Sequence, residues 1–413
     1  MLPSVPSSTR DDGIRVCMLT NSVYRRDTRV RRYAEYLIRD GYQVDVICLA
    51  SQRGERPGSI SGVRVYPIRL ARSRREGLRQ ALQWLLSAFL MFLRLSALDI
   101  RQHYDLIHAH NIPDFLVFCA VVPRLRGAVV LLNLHDPSPE LARSKLGLPS
   151  DHPVVKINAW IEKICVRFSS HVLTATNSFK ALLVQRGVSD EKITVVMNAA
   201  DRRFFSPDWP GVPDRKDRER FTLLYVGTVA DRYGLQILVR ALPLLRSEIP
   251  GVRLRIVPKI RNEGKGLDDC LELAERLGVG DLVRVDEPVP LEEMPSIMRE
   301  ADIGCYPALR DCHMDIALSL KIPEMVDVGL CIVASKLSVL EDLYGEDAIA
   351  FVPPGDPHAL ANRIIDLYRN PRTREQLAAT ARERAQGFSW ERQYEIYRAT
   401  LEKLLSLSRT AGA

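Results

Sequence analysis

Lys321 and Glu324, in LSLKIPEMVDVG, lie three residues apart and share one helix face. They can point together at a ligand beyond the helix start, where free backbone N–H groups favour an anion such as a phosphate-bearing substrate. The same pair is also the ordinary solvated ion pair of a helix surface, contributing roughly 0.2–0.5 kcal/mol. Arg232, in YVGTVADRYG, stands between a Gly turn and a helix start, where a diphosphate can sit. With Lys321 it would give two cations for one pyrophosphate, although a loop arginine is as readily a solvated charge. His135 ends the apolar run LLNLHD and has two readings. It is a strand-end histidine bonded to Asp136 or to backbone, or a working group facing a cleft.

Those residues depend on the elements that would carry them. Ile14 to Thr20 reads as a strand, Thr28 to Arg39 as a helix stopped by Gly41, and Gln43 to Leu49 as the next strand. This opening implies a parallel, helix-covered sheet. Its first loop, NSVYRRDTRV, carries Arg25, Arg26, Asp27 and Arg29 in place of a Gly-rich dinucleotide turn. Strands at Asp105–Ala109, Ala128–Leu134, His171–Thr176 and Ile193–Met197 follow, with a helix over Val154–Phe168. The Pro-rich, charged stretch SPDWPGVPDRKDRER then reads as a connector.

A second series begins at Phe221–Val226, with a helix over Leu235–Ser247 and strands near Leu254, Leu282, Ile303, Ile332 and Ile349. Between the last three, Asp311 to Asp315 reads as loop, Ala317 to Val328 as helix stopped by Gly329, and Cys331 to Ala334 as buried strand. Amphipathic helices over Pro357–Arg384 and Ser389–Leu405 close the chain, with Phe388, Trp390, Tyr394 and Tyr397 on the apolar face of the last. The fold class is α/β, with doubly wound domains over residues 1–205 and 206–387. Ligands of such domains bind at the carboxyl ends of the strands. That selects Asn21, Asp27 and Arg29; His110, Asn111 and Asp114; His135 and Asp136; and Gly227, Thr228, Asp231 and Arg232.

The 413 residues, 46% hydrophobic and 26% charged, have the composition of an ordinary globular protein of two or three domains. A net charge of +7 suits an anionic partner. Nucleic acid is set aside, because the arginines are dispersed and no binding module interleaves them with aromatics. Eight cysteines form no CxxC pair and look like reduced core residues. Cys305, Cys312 and His313 make a lone cluster without a second pair, so no metal is expected. The N-terminus lacks a basic region followed by an apolar core, which points to the cytoplasm. One segment, Arg69 to Leu98, joins Arg69, Arg72, Arg74 and Arg75 to the run WLLSAFLMFL. It is a helix docking on an anionic membrane face or one covering a parallel sheet.

Six stretches carry a resemblance that covers nearly the whole chain: DTRVRRYAEYL, YDLIHAHNIPDFLVF, LLNLHDPSPEL, ITVVMNAADRRFF, YVGTVADRYGLQILVRAL and LSLKIPEMVDVGLCIVAS. In this order they resemble the retaining, nucleotide-sugar-dependent glycosyltransferases of family 4, which have the GT-B fold. The resemblance implies two Rossmann-like domains facing each other across a cleft, with residues 388–413 crossing back to the first. It implies a nucleotide-sugar donor held by the second domain, a saccharide or lipid-linked acceptor facing the first, and no metal or cofactor. Arg232 and Lys321 would neutralise the diphosphate leaving group, Glu324 would hold the ribose, and His135 would lie close to the transferring sugar. Gly227, Thr228 and Asp315 complete the expected donor side; Asp27, Arg29, Asn111 and Asp114 form the acceptor side.

The expected role is in surface polysaccharide or glycolipid biosynthesis at the inner membrane face. Three departures stand out. Ile316 replaces the Glu usual eight positions before the ribose-binding one, VPKIRNEGKG replaces a Gly-rich turn, and Tyr233 replaces a Lys. They keep two alternatives open: a catalytically silent binding subunit of another transferase, and a nucleotide-sugar epimerase.

Overall fold

Runs such as RVCMLT, QVDVICL and VVLLNL are buried along almost their whole length, as expected of parallel strands covered by helices on both faces. In the computed structural model, which describes residues 13–52, 54–70, 77–206, 220–259 and 266–411, they form the centre of an eight-stranded sheet. Its strands are β1 (Arg15–Thr20), β2 (Gln43–Leu49), β3 (Gly58–Ile60), β4 (Val63–Ile68), β5 (Leu106–His110), β6 (Val129–Leu134), β7 (His171–Thr174) and β8 (Ile193–Val195). The order is β3-β4-β2-β1-β5-β6-β7-β8, parallel except for the edge strand β3. The chain order reverses between β1 and β5. Register there pairs Thr20 with His110 and His110 with Asn133, so the residues after these strands emerge side by side.

The second sheet contains β9 (Phe221–Gly227), β10 (Val252–Pro258), β11 (Val283–Val285), β12 (Ile303–Tyr306), β13 (Cys331–Ser335) and β14 (Ala350–Val352). Its order, β11-β10-β9-β12-β13-β14, is wholly parallel and reverses between β9 and β12. Two doubly wound domains are therefore present. Each offers a crevice at its reversal point, where ligands of such sheets bind.

Several expected boundaries move. The pair β3–β4 is not among the expected strands; Ser61 and Gly62, both at positive φ, form the two-residue turn between them. Pro371 divides the expected Pro357–Arg384 helix into Pro357–Arg369 and Pro371–Gln386. The expected Ala317–Val328 helix starts only at Lys321. Pro323 explains this: its ring clashes with the carbonyl four residues back, so Ser319 cannot belong to the same helix. The connector over 207–219, the arginines at 72, 74 and 75, and most of the VPKIRNEGKG turn lie outside the described residues.

The chain changes domain twice. Ala199 packs in the first domain's core, whereas Ala200 and Phe205 pack in the second's. Phe388 still belongs to the second core, but Trp390, Tyr394, Tyr397, Leu401 and Leu405 of the Trp390–Ala411 helix are buried in the first. Tyr33 and Tyr36 meet Trp390 edge-on, with ring centroids 5.0 and 5.9 Å apart. Tyr394 donates to Asp40 at 2.7 Å, and Gln393 accepts from the Met197 amide at 2.7 Å.

The Leu78–Gln102 helix covers the first sheet with one of its faces. Met91, Leu95 and Leu98 are buried against the first sheet, while Leu82, Leu85, Leu86 and Phe89 on the opposite face are exposed.

Candidate active site

The first-domain half of the site begins with Asp27. Its Oδ1 accepts from the Val30 amide at 3.2 Å and so caps the Thr28–Arg39 helix, while Oδ2 accepts from Ser22 at 2.5 Å. Arg29 lies 3.9 Å from Asp27 and 3.9 Å from Asp136, between the two carboxylates. Burial alone would raise both acids. Arg29 and the Ser22 hydroxyl outweigh it at Asp27, and at Asp136 it is outweighed by the hydrogen bond from His313 and by the charge of Arg29, so both are held well below the usual carboxylate range.

His135 is buried beside them, its ring stacked on His110 with Nε2 3.1 Å from His110 Nδ1. His110 in turn lies against His108, ring centroids 4.0 Å apart, and His108 Nδ1 is 3.0 Å from the Tyr397 hydroxyl. A file of three histidines thus runs from the returning C-terminal helix to the cleft. Burial pushes all three imidazoles well below their ordinary range, with Arg29 adding to it at His135 and His135 at His110. They are neutral near pH 7.

Asn111 and Asp114 stand behind the cleft. Asn111 Oδ1 accepts from the His135 amide at 2.8 Å, and Nδ2 donates to the Asp136 carbonyl at 2.7 Å and to Asp114 at 3.0 Å. Ser138 donates to the same Asp114 oxygen at 2.8 Å. Burial pushes the Asp114 carboxyl up to about 6 against these two hydrogen bonds. Both residues are buried and fix the turn that presents His135 and Asp136.

In the second domain, Gly227 ends β9 at φ +133°, and a Cβ there would sit 3.9 Å from Lys321 Cγ. Thr228 is half-buried beside it, its carbonyl accepting from Tyr225 at 2.8 Å. Gly234 is required at the next turn: its φ is +71°, and a Cβ would lie 1.8 Å from the Pro307 carbonyl oxygen. This close approach lets the Leu309 amide bond the Arg232 carbonyl at 2.8 Å. The Arg232 guanidinium lies 4.9 Å from the Tyr233 ring and donates from Nη2 to its hydroxyl at 3.3 Å. Its Nε and Nη1 are buried without a partner among the described residues.

Lys321 donates to Glu324 at 2.6 Å, and Glu324 is 2% exposed, so this is no solvated pair. The helix-start amides are largely spent: Pro323 has none, Ile322 bonds the Ser319 carbonyl and Glu324 bonds that of Leu320, each at 3.2 Å. The side chains, not the helix start, carry the positive charge here.

The loop from Pro307 to Leu320 joins the halves. His313 Nε2 is 3.2 Å from Asp136, Ser144 donates to Asp311 at 2.6 Å, and the carbonyls of Ile316 and Leu318 accept from Thr176 and Asn198 at 2.8 and 2.9 Å. Ile316 contributes backbone to this seam. Asp315 turns from it, accepting from the Ser338 amide at 3.1 Å and pairing with Arg310 at 3.3 Å. The structure therefore gathers Asp27, Arg29 and His135 in one half, and Gly227, Thr228, Arg232, Lys321 and Glu324 in the other. Asn111 and Asp114 are buried and hydrogen-bonded within the turn that carries His135, and Asp315 is engaged by Ser338 and Arg310.

Sequence reasoning passes over the cleft role of His313 and all of Arg32. Buried Arg32 donates to the Ala199 carbonyl, and its guanidinium carbon lies 4.3 Å from the Trp390 ring centre. Burial pushes its guanidinium down, opposed chiefly by Asp201 and also by Glu324 across the domain boundary. Its partners are far away in sequence, and no local pattern marks it.

Comparison with known proteins decides the family. Residues 27–199 match the family described as "Glycosyl transferase 4-like domain", and residues 220–370 match "Glycosyl transferases group 1". The chain belongs to the GT-B glycosyltransferases. This glycosyltransferase is 29% identical over 395 residues to the D-inositol 3-phosphate glycosyltransferase of Corynebacterium urealyticum, covering 90% of this chain and 89% of that one. It superposes on sucrose-phosphate synthase from Thermosynechococcus elongatus with a TM-score of 0.79 at 18% identity, covering 95% and 100% of the two chains. Anabaena HepE in complex with UDP and glucose gives a TM-score of 0.71 at 18% identity, covering 94% and 100%.

Proposed function

We propose that this glycosyltransferase moves a sugar from a nucleoside-diphosphate sugar to a saccharide or lipid-linked acceptor, with retention at the anomeric carbon. The observation that carries this reading is Arg232, whose Nε and Nη1 are buried without a partner among the described residues, in the domain that also presents Lys321 beside Gly227. Burying such donors without a partner is costly, and an anionic ligand offsets that cost. The solved structure of HepE with UDP and glucose supports a donor of this class.

Cleaving the anomeric bond builds negative charge on the β-phosphate. Arg232 and Lys321 are fixed cations that favour the separated state over the intact donor. Glu324, whose Oε2 is held by Lys321, offers its carboxylate to the ribose hydroxyls. His135, neutral and oriented by His110, gives the sugar a hydrogen-bonding group without adding charge near the departing phosphate. The acceptor enters from the side of Asp27 and Arg29. Its proton passes to the leaving phosphate oxygen on the same face, so no separate base is required and neither is a metal.

The product belongs in surface polysaccharide or glycolipid assembly at the inner membrane face. D-inositol 3-phosphate glycosyltransferases are named for a phosphorylated acceptor, so phosphorylated polyols and saccharides belong in the acceptor screen. Thermal-shift titration with nucleoside diphosphates and their sugars identifies the donor. NMR of the product then gives the linkage: an inverted anomeric centre would rule out retention, and activity abolished by EDTA would rule out metal independence.

Ile316 and the outward turn of Asp315 favour one second reading, a silent nucleotide-sugar-binding partner of another transferase. Transfer or donor hydrolysis by the isolated protein, lost in Lys321→Ala, excludes it.

A further inference from the structure

The outer face of the first domain carries apolar surface that its core does not use. Leu82, Leu85, Leu86 and Phe89 of the Leu78–Gln102 helix are between 47% and 57% exposed, spaced to share one helix face. On the Pro153–Phe168 helix, Ile157 and Trp160 are 55% and 62% exposed. Both helices pack inward on the same core, and the short Asp114–Ala120 turn wedges between them. Cys119 of this turn contacts the Ala88 carbonyl at 3.2 Å, and Phe118 meets Phe168 with centroids 5.1 Å apart. Their outer faces therefore point the same way.

Charge on this face has one sign. No Asp or Glu occurs between Leu78 and Leu98. Glu162, the one acid of the second helix, is buried and bonded by Arg186 at 2.7 Å. Asp99, at the end of the first, is buried against Arg126 at 2.8 Å. Exposed around the apolar residues stand Arg79, Lys156, Lys163 and Arg167.

We infer that the outer faces of these two helices form one docking surface for an anionic lipid bilayer. Apolar side chains framed by cations suit the boundary between acyl chains and anionic headgroups. A second copy of the same basic face would be repelled instead. The first helix is long and apolar enough to span a membrane, but Met91 and Leu95 hold its inner side in the protein core, so it lies flat. In this right-handed β–α–β architecture each helix returns from the carboxyl edge of the sheet, so the Leu82 end is the end nearest the cleft. The proposal rests on the transferase reading in one respect: it names a lipid-linked acceptor, presented to the cleft from the bilayer.

Flotation of the full chain with vesicles tests it. Equimolar phosphatidylcholine–phosphatidylglycerol vesicles should carry the protein upward at low salt, pure phosphatidylcholine vesicles should carry little, and high salt should weaken the effect. Leu85→Asp with Phe89→Asp, and separately Lys156→Glu with Lys163→Glu, should each abolish flotation. All four positions are exposed, so the melting temperature and donor hydrolysis should be unchanged, which separates failure of docking from failure of the transferase reading. Wild-type protein left behind by anionic vesicles, or an aspartate variant that floats like wild type, would overturn the inference. So would light scattering that shows a dimer dissociated by the same aspartates, which would assign the face to a second copy.

Discussion

His313 Nε2, on the second domain, lies 3.2 Å from the Oδ1 of Asp136 at the end of β6 in the first. Asp136 also faces Arg29, so one carboxylate gathers cationic or hydrogen-bonding partners from both walls of the cleft. His313→Ala should loosen the closed arrangement and lower kcat/KM by roughly tenfold, the scale of one hydrogen bond to a charged group. His313→Asn, which keeps a donor, should recover part of the loss. Steady-state kinetics over a range of donor concentrations checks both; an unchanged kcat/KM would mean that the contact is idle in turnover.

Arg232 and Lys321 are assigned to the same developing charge. Replacing either with Ala should lower kcat by about 10²–10³, the typical cost of removing one fixed donor from a charge that builds in the transition state. The two should differ in stability. Lys321→Ala leaves buried Glu324 without its 2.6 Å partner and should cost about 1–3 kcal/mol of folding free energy, whereas Arg232→Ala removes two nitrogens that have no partner among the described residues and a single 3.3 Å hydrogen bond to Tyr233, and should cost less. Denaturant unfolding of the two variants separates these outcomes.

The histidine file has a predictable pH signature. In the unfolded chain His108, His110 and His135 take up protons as pH falls through their ordinary value of 6.5; in the folded chain they stay neutral until well below it. Their effect on stability is therefore absent above about pH 6.5 and grows more unfavourable below it, by up to about 1.4 kcal/mol per histidine per pH unit. Asp114 and Glu162, raised by burial to about 6 and about 7, act with opposite sign, favouring the folded state as pH falls. Comparison of a variant with wild type isolates the histidine contribution. His108→Gln should flatten the fall in melting temperature between about pH 7 and pH 5. An unaltered slope would show that His108 is protonated in the folded state.

Gly234→Ala tests the turn that carries Arg232. The added methyl meets the Pro307 carbonyl at 1.8 Å in a backbone conformation already unfavourable for Ala, and neither side of the contact is a flexible side chain. A loss on the order of 2–4 kcal/mol is expected, with donor affinity falling as well because Arg232 shifts. Differential scanning calorimetry with and without a nucleoside diphosphate reads both effects.

Much of the fold is legible in the sequence because it is local. Parallel strands buried on both faces announce themselves as unbroken apolar runs, and Thr28–Arg39 and Gln43–Leu49 begin and end where their caps and stops predict. The strand-end rule also picks out Asp27, His135, Gly227 and Arg232. It cannot separate residues that face the cleft from residues that brace it: Asn111 and Asp114 obey the same rule as His135, and only the hydrogen bonds to the His135 amide and from Ser138 reveal their task. Asp315 is likewise placed by its proximity in sequence, while its bond to Ser338 depends on how the loop turns. His313 and Arg32 act on partners about 170 residues or more distant, and no window of sequence contains both members of such a pair.

The return of Trp390, Tyr394 and Tyr397 to the first domain bears on how the protein is made. Residues that complete the first core leave the ribosome after the whole second domain, so synthesis delivers an N-terminal body with an open apolar seam along Tyr33 and Tyr36 until the Trp390–Ala411 helix emerges. In topology the second domain is an insertion within the first. A chain cut at the linker would therefore expose that seam for good, and the smallest autonomous version of the N-terminal body is one with the Trp390–Ala411 helix grafted back on.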